Sequence, residues 1–179
     1  MVEQNNIPKA GQSQPGKEQE IKKIMDILET VTDPEIPVLT VADLGIIRDV
    51  IVNGDKTEII ITPTYSGCPA MDMITMNIKL ALSEHGYRNV IVKPVLSPAW
   101  TTEWMSEEGK RKLKAYGIAP PNPRQQVCDE KLFAANEAVQ CPHCQSYHTH
   151  RVSEFGSTAC KALYQCDECK EPFDYFKCH

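Results

Sequence analysis

Two cysteine pairs near the end of the chain, Cys141-Pro142-His143-Cys144 and Cys166-Asp167-Glu168-Cys169, are separated by twenty-one residues. A C-x-x-C turn brings two sulfurs to one side of a tight knuckle. Two such knuckles complete a closed tetrahedral site of four thiolates. Sites of this kind are structural, and Zn²⁺ is the ion they suit; its binding supplies on the order of 10 kcal/mol toward folding. The plainer alternative is two unrelated reduced cysteine pairs. The surrounding composition favours the metal: from Val139 onward the chain is short, cysteine-dense and poor in aliphatic residues, and about forty residues rarely bury enough core to fold without a staple. Cys160, Cys178, His143, His148, His150 and His179 are spare candidate ligands. No second paired spacing joins them, so a buried cysteine and exposed histidines are the default for these.

A different chemistry is available at Cys68, in Thr62-Pro63-Thr64-Tyr65-Ser66-Gly67-Cys68-Pro69-Ala70. The segment leads into an apolar stripe of helical period, so Cys68 falls just before a helix. Unpaired N–H groups and the positive end of the helix dipole converge there. Both favour thiolate over thiol. Such a sulfur would ligate iron, hold a transferred cluster or attack a disulfide; the bland alternative is that it caps and packs. His85 belongs to the far end of the same helix, roughly 25 Å away at 1.5 Å per residue. Asp33, Glu35 and Asp43 form an acidic loop region that either faces Cys68 across the sheet end or stays solvated. A C-x-x-C pair, a glycine-rich phosphate loop and a His/carboxylate metal motif are all missing from this part of the sequence.

The elements that must position these residues are legible in part. Ile21, Ile24, Leu28 and Val31, with Ile27 beside them, recur at helical spacing, and Asp33-Pro34 is expected to end that helix. IIRDVIV and KTEIIIT flank Asn53-Gly54, a hairpin signature. Pro69 suits a first helical position, and Met71, Ile74, Ile78, Ala81 and Leu82 form the stripe that follows, closed by Gly86. NVIVKPV supplies a third strand, and a last helix runs from about Ser106 to Tyr116 and stops at Gly117. Helix, hairpin, helix, strand, helix describes an α+β fold with helices on a small mixed sheet. The expected division is a disordered leader over 1–16, the α+β domain over 17–120, a linker over 121–138 and a zinc ribbon over 139–179. Within the ribbon, YHTHRVSEFG, ACKALYQ and EPFDYFK read as strands. Gly109-Lys110-Arg111-Lys112-Leu113-Lys114 reads as a solvated helix face. Trp100 and Trp104 read as core residues, a docking surface being the minority alternative.

Composition narrows the setting. The 179 residues are 41% hydrophobic and 24% charged, which is ordinary globular usage. No run of eighteen apolar residues offers a membrane span, and the first twenty residues lack the basic start and apolar stretch of a secretory signal. A cytoplasmic setting follows, where thiols stay reduced and clustered cysteines are metal ligands more often than disulfide halves. A net charge of −5 argues against general nucleic-acid binding, which draws on phosphate neutralisation. The ribbon repeats the point: Arg151, Lys161, Lys170 and Lys177 are outnumbered by Glu154, Asp167, Glu168, Glu171 and Asp174. It more readily touches protein.

Asp33-Pro34-Glu35-Ile36-Pro37-Val38, then Asp43-Leu44-Gly45, then Thr62 through Pro69, resembles the MIP18-type family (domain of unknown function 59), associated with iron–sulfur cluster assembly and metalloenzyme maturation. Pro98-Ala99-Trp100-Thr101-Thr102-Glu103-Trp104, Tyr116 through Pro121, Phe155 through Tyr164 and Glu171 through Lys177 narrow the likeness to the D-subunit family of the phenylacetyl-CoA 1,2-epoxidase system. The resemblance runs from about Lys17 to the C-terminus. It implies an accessory, non-catalytic part in a ring-epoxidising monooxygenase of aerobic phenylacetate breakdown, with oxygenase and reductase subunits as partners and self-association left open. A di-iron subunit would carry the chemistry, and no Glu-x-x-His pair is present here. Asp33, Glu35, Asp43, Thr62 and Cys68 carry over as the family's motif residues and form a candidate maturation site for transient iron or an iron–sulfur cluster; Cys160 matches a tail motif without a known ligand role. A purely structural subunit and a thiol redox protein using Cys68 are the alternatives.

Overall fold

The computed structural model describes residues 15–65, 67–121 and 139–177. Most of the expected leader, residues 1–14, and of the expected linker, residues 122–138, lies outside the described residues. Helix α1 spans Pro15–Leu28, and Ile24, Ile27 and Leu28 bury its apolar stripe. It stops short of Asp33-Pro34. The chain leaves the helix with the Thr30 hydroxyl donating to the Ile27 carbonyl at 2.7 Å, and Thr32 bridges to Thr40. Asp33 organises the loop rather than ending the helix: its Oδ1 accepts from the N–H groups of both Glu35 and Ile36 at 2.8 Å. This is the local turn that aspartate side chains form with the backbone two and three residues on.

β1 (Ile47–Asn53) and β2 (Lys56–Ile61) pair antiparallel, with Asn53 opposite Lys56. The two-residue turn is therefore Gly54-Asp55, one step later than the Asn-Gly pair suggests. Its positive φ, 63°, falls on Gly54, the first central position, as type II′ turns require. α2 (Met71–Glu84) then crosses to β3 (Asn89–Pro94), which lies parallel to β2, giving a mixed sheet of order β1-β2-β3. Ile74, Ile78 and Leu82 of α2 meet Ile59 and Ile61 of β2 in one core with Leu39, Val41 and Ile46. The parallel pair places the β2–α2 loop, residues 62–70, at the end of the sheet.

α3 (Glu107–Tyr116) is capped by the Ser106 hydroxyl, which accepts from the Gly109 N–H at 2.8 Å, and closed by Gly117. Asp43 docks it. One carboxylate oxygen accepts from the Ser106 hydroxyl at 3.0 Å; the other takes the Lys112 ammonium at 2.6 Å and the Thr40 N–H at 3.1 Å. Lys112 thus has a tertiary partner, although its run reads as a solvated face. Burial alone would raise the Asp43 carboxyl, but hydrogen bonds from Lys112, Thr40 and Ser106 outweigh it and hold it below the ordinary carboxylate range. A depressed folded value means that the ionised form stabilises the fold at neutral pH, and that this contribution fades as pH falls below about 4 toward the folded value. Asp43→Asn is therefore expected to cost about 1–3 kcal/mol at pH 7, with the gap to wild type narrowing in acid. Urea melts at pH 7 and pH 3.5 check this; a gap independent of pH would refute it.

The second sheet has the order β4-β7-β6-β5, from β4 (Ile118–Ala119), β5 (Thr149–Ser153), β6 (Lys161–Cys166) and β7 (Pro172–Phe176). β5, β6 and β7 form the expected three-stranded ribbon. β4, which sequence reading leaves inside the α+β domain, adds parallel to β7 with Ile118 opposite Asp174. The attachment has apolar weight behind it. Phe176 meets Trp100 edge to face, centroids 6.1 Å apart, and both belong to the first core together with Cys160. A second, smaller core comprises Ala119, Val139, Ala162, Tyr164, Phe173 and Tyr175 with Cys141, Cys166 and Cys169. Among the described residues no helix is long and apolar enough to cross a membrane.

Candidate functional site

Four sulfurs converge in the ribbon. Those of Cys141, Cys144, Cys166 and Cys169 all lie within 4.8 Å of one another. Cys141 and Cys169 are 3.8 Å apart, and Cys144 and Cys166 are 3.5 Å apart. Tetrahedral metal–sulfur bonds of about 2.3 Å set sulfurs about 3.8 Å apart, so the donor set fits a divalent ion. Both knuckles have one backbone shape. Gln145 donates its N–H to the Cys141 carbonyl at 2.9 Å, and Lys170 donates to that of Cys166 at 3.0 Å. These two residues, each next after its pair, hold φ near 64° and 63°. A non-glycine residue there is uncommon, and this repeated departure reflects the turn that the paired sulfurs require. Backbone N–H groups of Glu168 and Cys169 hydrogen-bond the Cys166 sulfur, and that of Glu171 bonds the Cys169 sulfur. Two of the spare histidines have other partners: His148 lies 2.7 Å from Glu168 and His150 lies 3.0 Å from Asp167. Cys178 and His179 lie outside the described residues.

Cys68 is half-buried in the turn before α2, against the first core. The helix end acts on it as expected, since the N–H groups of Ala70 and Met71 favour the thiolate. They lose. Burial, joined by the negative charges of Glu35 and Asp33, pushes the Cys68 thiol above its ordinary value. The expectation of a depressed thiol is thereby overturned: desolvation, with two carboxylates behind it, outweighs a helix terminus. Asp33 is itself raised, by burial first, against the N–H groups of Ile36 and Glu35 and the charge of Lys161. Tyr65 is pushed up to about 12 by burial and by Cys68, Cys160 and Glu35.

Of the motif residues, Asp33 and Glu35 therefore act on Cys68, while Asp43 spends both oxygens on Thr40, Ser106 and Lys112. Thr62 follows β2 with its N–H on the Ile46 carbonyl at 2.8 Å. Its buried hydroxyl has no hydrogen-bond partner among the described residues. Sequence reasoning missed Cys160 as a neighbour of this group. Its sulfur lies 3.7 Å from Glu35 Oε2, across 125 positions, a pairing that no local pattern signals. Trp100 is core, its indole N–H donating to the Leu44 carbonyl at 2.8 Å. Trp104 is half-buried beneath the Arg48 guanidinium, 3.6 Å from its ring.

Comparison with known proteins gives this geometry a family. Residues 21–90 match the family described as iron-sulfur cluster assembly protein, and residues 125–177 match the PaaD zinc beta ribbon domain. The chain is 48% identical over 159 residues to an Escherichia coli protein named as the candidate D subunit of 1,2-phenylacetyl-CoA epoxidase, covering 89% of this chain and 93% of that one. It is 38% identical over 92 residues to an Fe-S protein maturation auxiliary factor of Porphyromonas gingivalis, covering 50% of this chain and 87% of the relative. The crystal structure of a domain of unknown function DUF59 from Bacillus anthracis superposes with a TM-score of 0.51 at 31% identity, over 54% of this chain and 92% of that one. The maturation-factor and DUF59 relatives span only about half of this chain, whereas the likeness that runs almost end to end, ribbon included, places the protein in the family of the phenylacetyl-CoA epoxidase D subunits.

Proposed function

We propose that the protein is an accessory subunit of a multicomponent phenylacetyl-CoA ring-epoxidising monooxygenase, in which Cys68 delivers or protects iron or an iron–sulfur cluster during maturation of the oxygenase or its reductase. The observation that carries this reading is the seat of Cys68, a half-buried sulfur under the influence of Asp33 and Glu35. Thiolate and carboxylate donors together suit ferrous iron, and an incomplete ligand set suits a cargo that must leave again. The raised thiol weighs against attack on a disulfide, which needs the thiolate at ambient pH. Metal binding displaces the proton instead.

The ribbon takes a structural part in this proposal. Its ion is Zn²⁺, one per chain, and its strands present a rigid surface to the oxygenase and reductase subunits in the cytoplasm. The chain then divides into a leader over 1–16, the α+β domain over 17–120, a linker over 121–138 and the ribbon over 139–179, with β4 as the strand by which the α+β domain joins the ribbon. The test is Cys68→Ser in cells that carry the whole system. Oxygenase and reductase components are expected to assemble but to hold several-fold less iron, measured by elemental analysis of the purified complex. Full metal occupancy in that variant would overturn the proposal. Loss of assembly with ribbon disruption, while Cys68→Ser leaves activity intact, would point to a purely structural subunit.

A further inference from the structure

α2 is apolar on two faces. One, carrying Ile74, Ile78 and Leu82, is buried in the first core. The other carries Met73, Met76 and Leu80, which stand 49%, 62% and 56% exposed. At about 100° per residue these three fall within about 60° of one another around the helix axis, so they form one stripe over two turns. A helix on the outside of a globular fold ordinarily turns a polar face to water. Single exposed apolar residues are commonplace, whereas a contiguous run of them marks a contact surface.

Charge at the edge of the stripe bears on what covers it. Asp72 and Lys79 are both exposed. They lie within about 20° of each other around the helix, on the flank next to Met76. Among the described residues neither has an ion-pair partner. Two-fold contacts use one patch twice, so the patch must complement itself. An antiparallel copy of α2 laid along the stripe, with the two-fold axis between Thr75 and Met76, meets that condition. Asp72 and Lys79 are equidistant from this axis, and in an antiparallel pair each flank faces its own counterpart. Each Asp72 then stands beside the partner's Lys79. In the same register the partner's Met73, Met76 and Leu80 fall level with Ile78, Thr75 and Met71, so that the apolar side chains of the two copies alternate along the seam. Antiparallel helices also set opposite dipole ends side by side.

We propose that α2 is the interface of a two-fold dimer of this chain, in which the Met73, Met76 and Leu80 stripes of two copies interlock and Asp72 of each pairs with the partner's Lys79. The pairing is independent of any role of Cys68. The patch is small, which makes the dimer a reversible one of micromolar affinity at the low end of specific interfaces. Methionines suit such a contact because their unbranched side chains repack as the copies come and go.

The experiment is sedimentation velocity of the full chain across about a hundredfold range of concentration around the micromolar. Wild type is expected to pass from monomer to dimer, less readily in high salt because the ion pairs are exposed. Asp72→Lys sets lysines against lysines at both ends of the seam, and Lys79→Asp sets aspartates against aspartates. Each is expected to raise the dissociation constant at least tenfold, since like charges brought together at an interface are costly. An equimolar mixture of the two variants restores opposite charges at both ends, and the double variant does so within one chain; both are expected to dimerise as wild type does. Met76→Glu abolishes the dimer. Thermal melts verify that each variant is folded; should Asp72→Lys melt early, Lys79→Asp alone must show the tenfold loss. A wild-type chain that stays monomeric throughout, a dimer indifferent to Met76→Glu, or single variants that fail to recover on mixing would each overturn the proposal. If the chain is monomeric and the same variants instead weaken its capture by an oxygenase or reductase subunit, the stripe belongs to a client and the dimer is refuted.

Discussion

Removal of the ribbon's ion, by a strong chelator or by Cys166→Ser, is expected to unfold the second sheet and to lower the melting temperature of the whole chain by at least about 5 °C. Ion binding at a closed four-thiolate site contributes on the order of 10 kcal/mol, more than the small core around Tyr164, Phe173 and Tyr175 supplies alone. The loss does not stay local, because β7 is paired to β4. Phe176, which ends β7, and Cys160, which precedes β6, are also part of the first core. Exposing a buried phenylalanine forfeits about 1.5–3 kcal/mol, and in a chain of this size each kcal/mol moves the midpoint by about 2–4 °C. Thermal melts with zinc counted by elemental analysis check this. A melting curve indifferent to the chelator would refute both the staple and its reach.

Gly45→Ala is expected to destabilise the protein by more than about 3 kcal/mol, whereas Gly54→Ala costs only about 1 kcal/mol. Both glycines hold a positive φ, 64° and 63°, and an L-residue in that conformation costs about 1–2 kcal/mol. They differ in what a methyl group would meet. At Gly54 nothing lies within 4 Å. At Gly45 the added carbon would stand 1.9 Å from the Trp104 carbonyl oxygen and 2.5 Å from its carbon. Backbone cannot rotate out of the way, so the Trp104 segment must move. Two attachments are then disturbed: the Arg48 guanidinium over the Trp104 ring and the Leu44 carbonyl that receives the Trp100 indole N–H. Urea denaturation of the pair isolates the clash, since the dihedral cost is common to both. Equal losses would show that conformation alone accounts for Gly45.

Signals carried by near neighbours survive the passage from sequence to structure. The apolar stripe of α2, the Ser106 and Gly117 ends of α3, the hairpin and the two C-x-x-C knuckles are each set within a few residues. Backbone dihedrals and sulfur reach act over that range, so the α+β class and the four-cysteine centre follow from spacing. Even there the margins moved. α1 ended at Leu28, before Asp33, where the Thr30 hydroxyl takes the Ile27 carbonyl and the next N–H groups reach back only three residues, and the hairpin turned one residue late because the positive φ settled on Gly54. What acts across the chain could not be read so. The Cys68 thiol went up rather than down because burial, joined by two carboxylates and fixed by packing, outweighed a local helix end. Asp43 left the motif cluster for Lys112, 69 positions away, and Cys160 joined it from 125 away. Which partner a buried charge or thiol finds is decided when the two cores close together, because desolvation is set by the whole enclosure and not by the residues on either side.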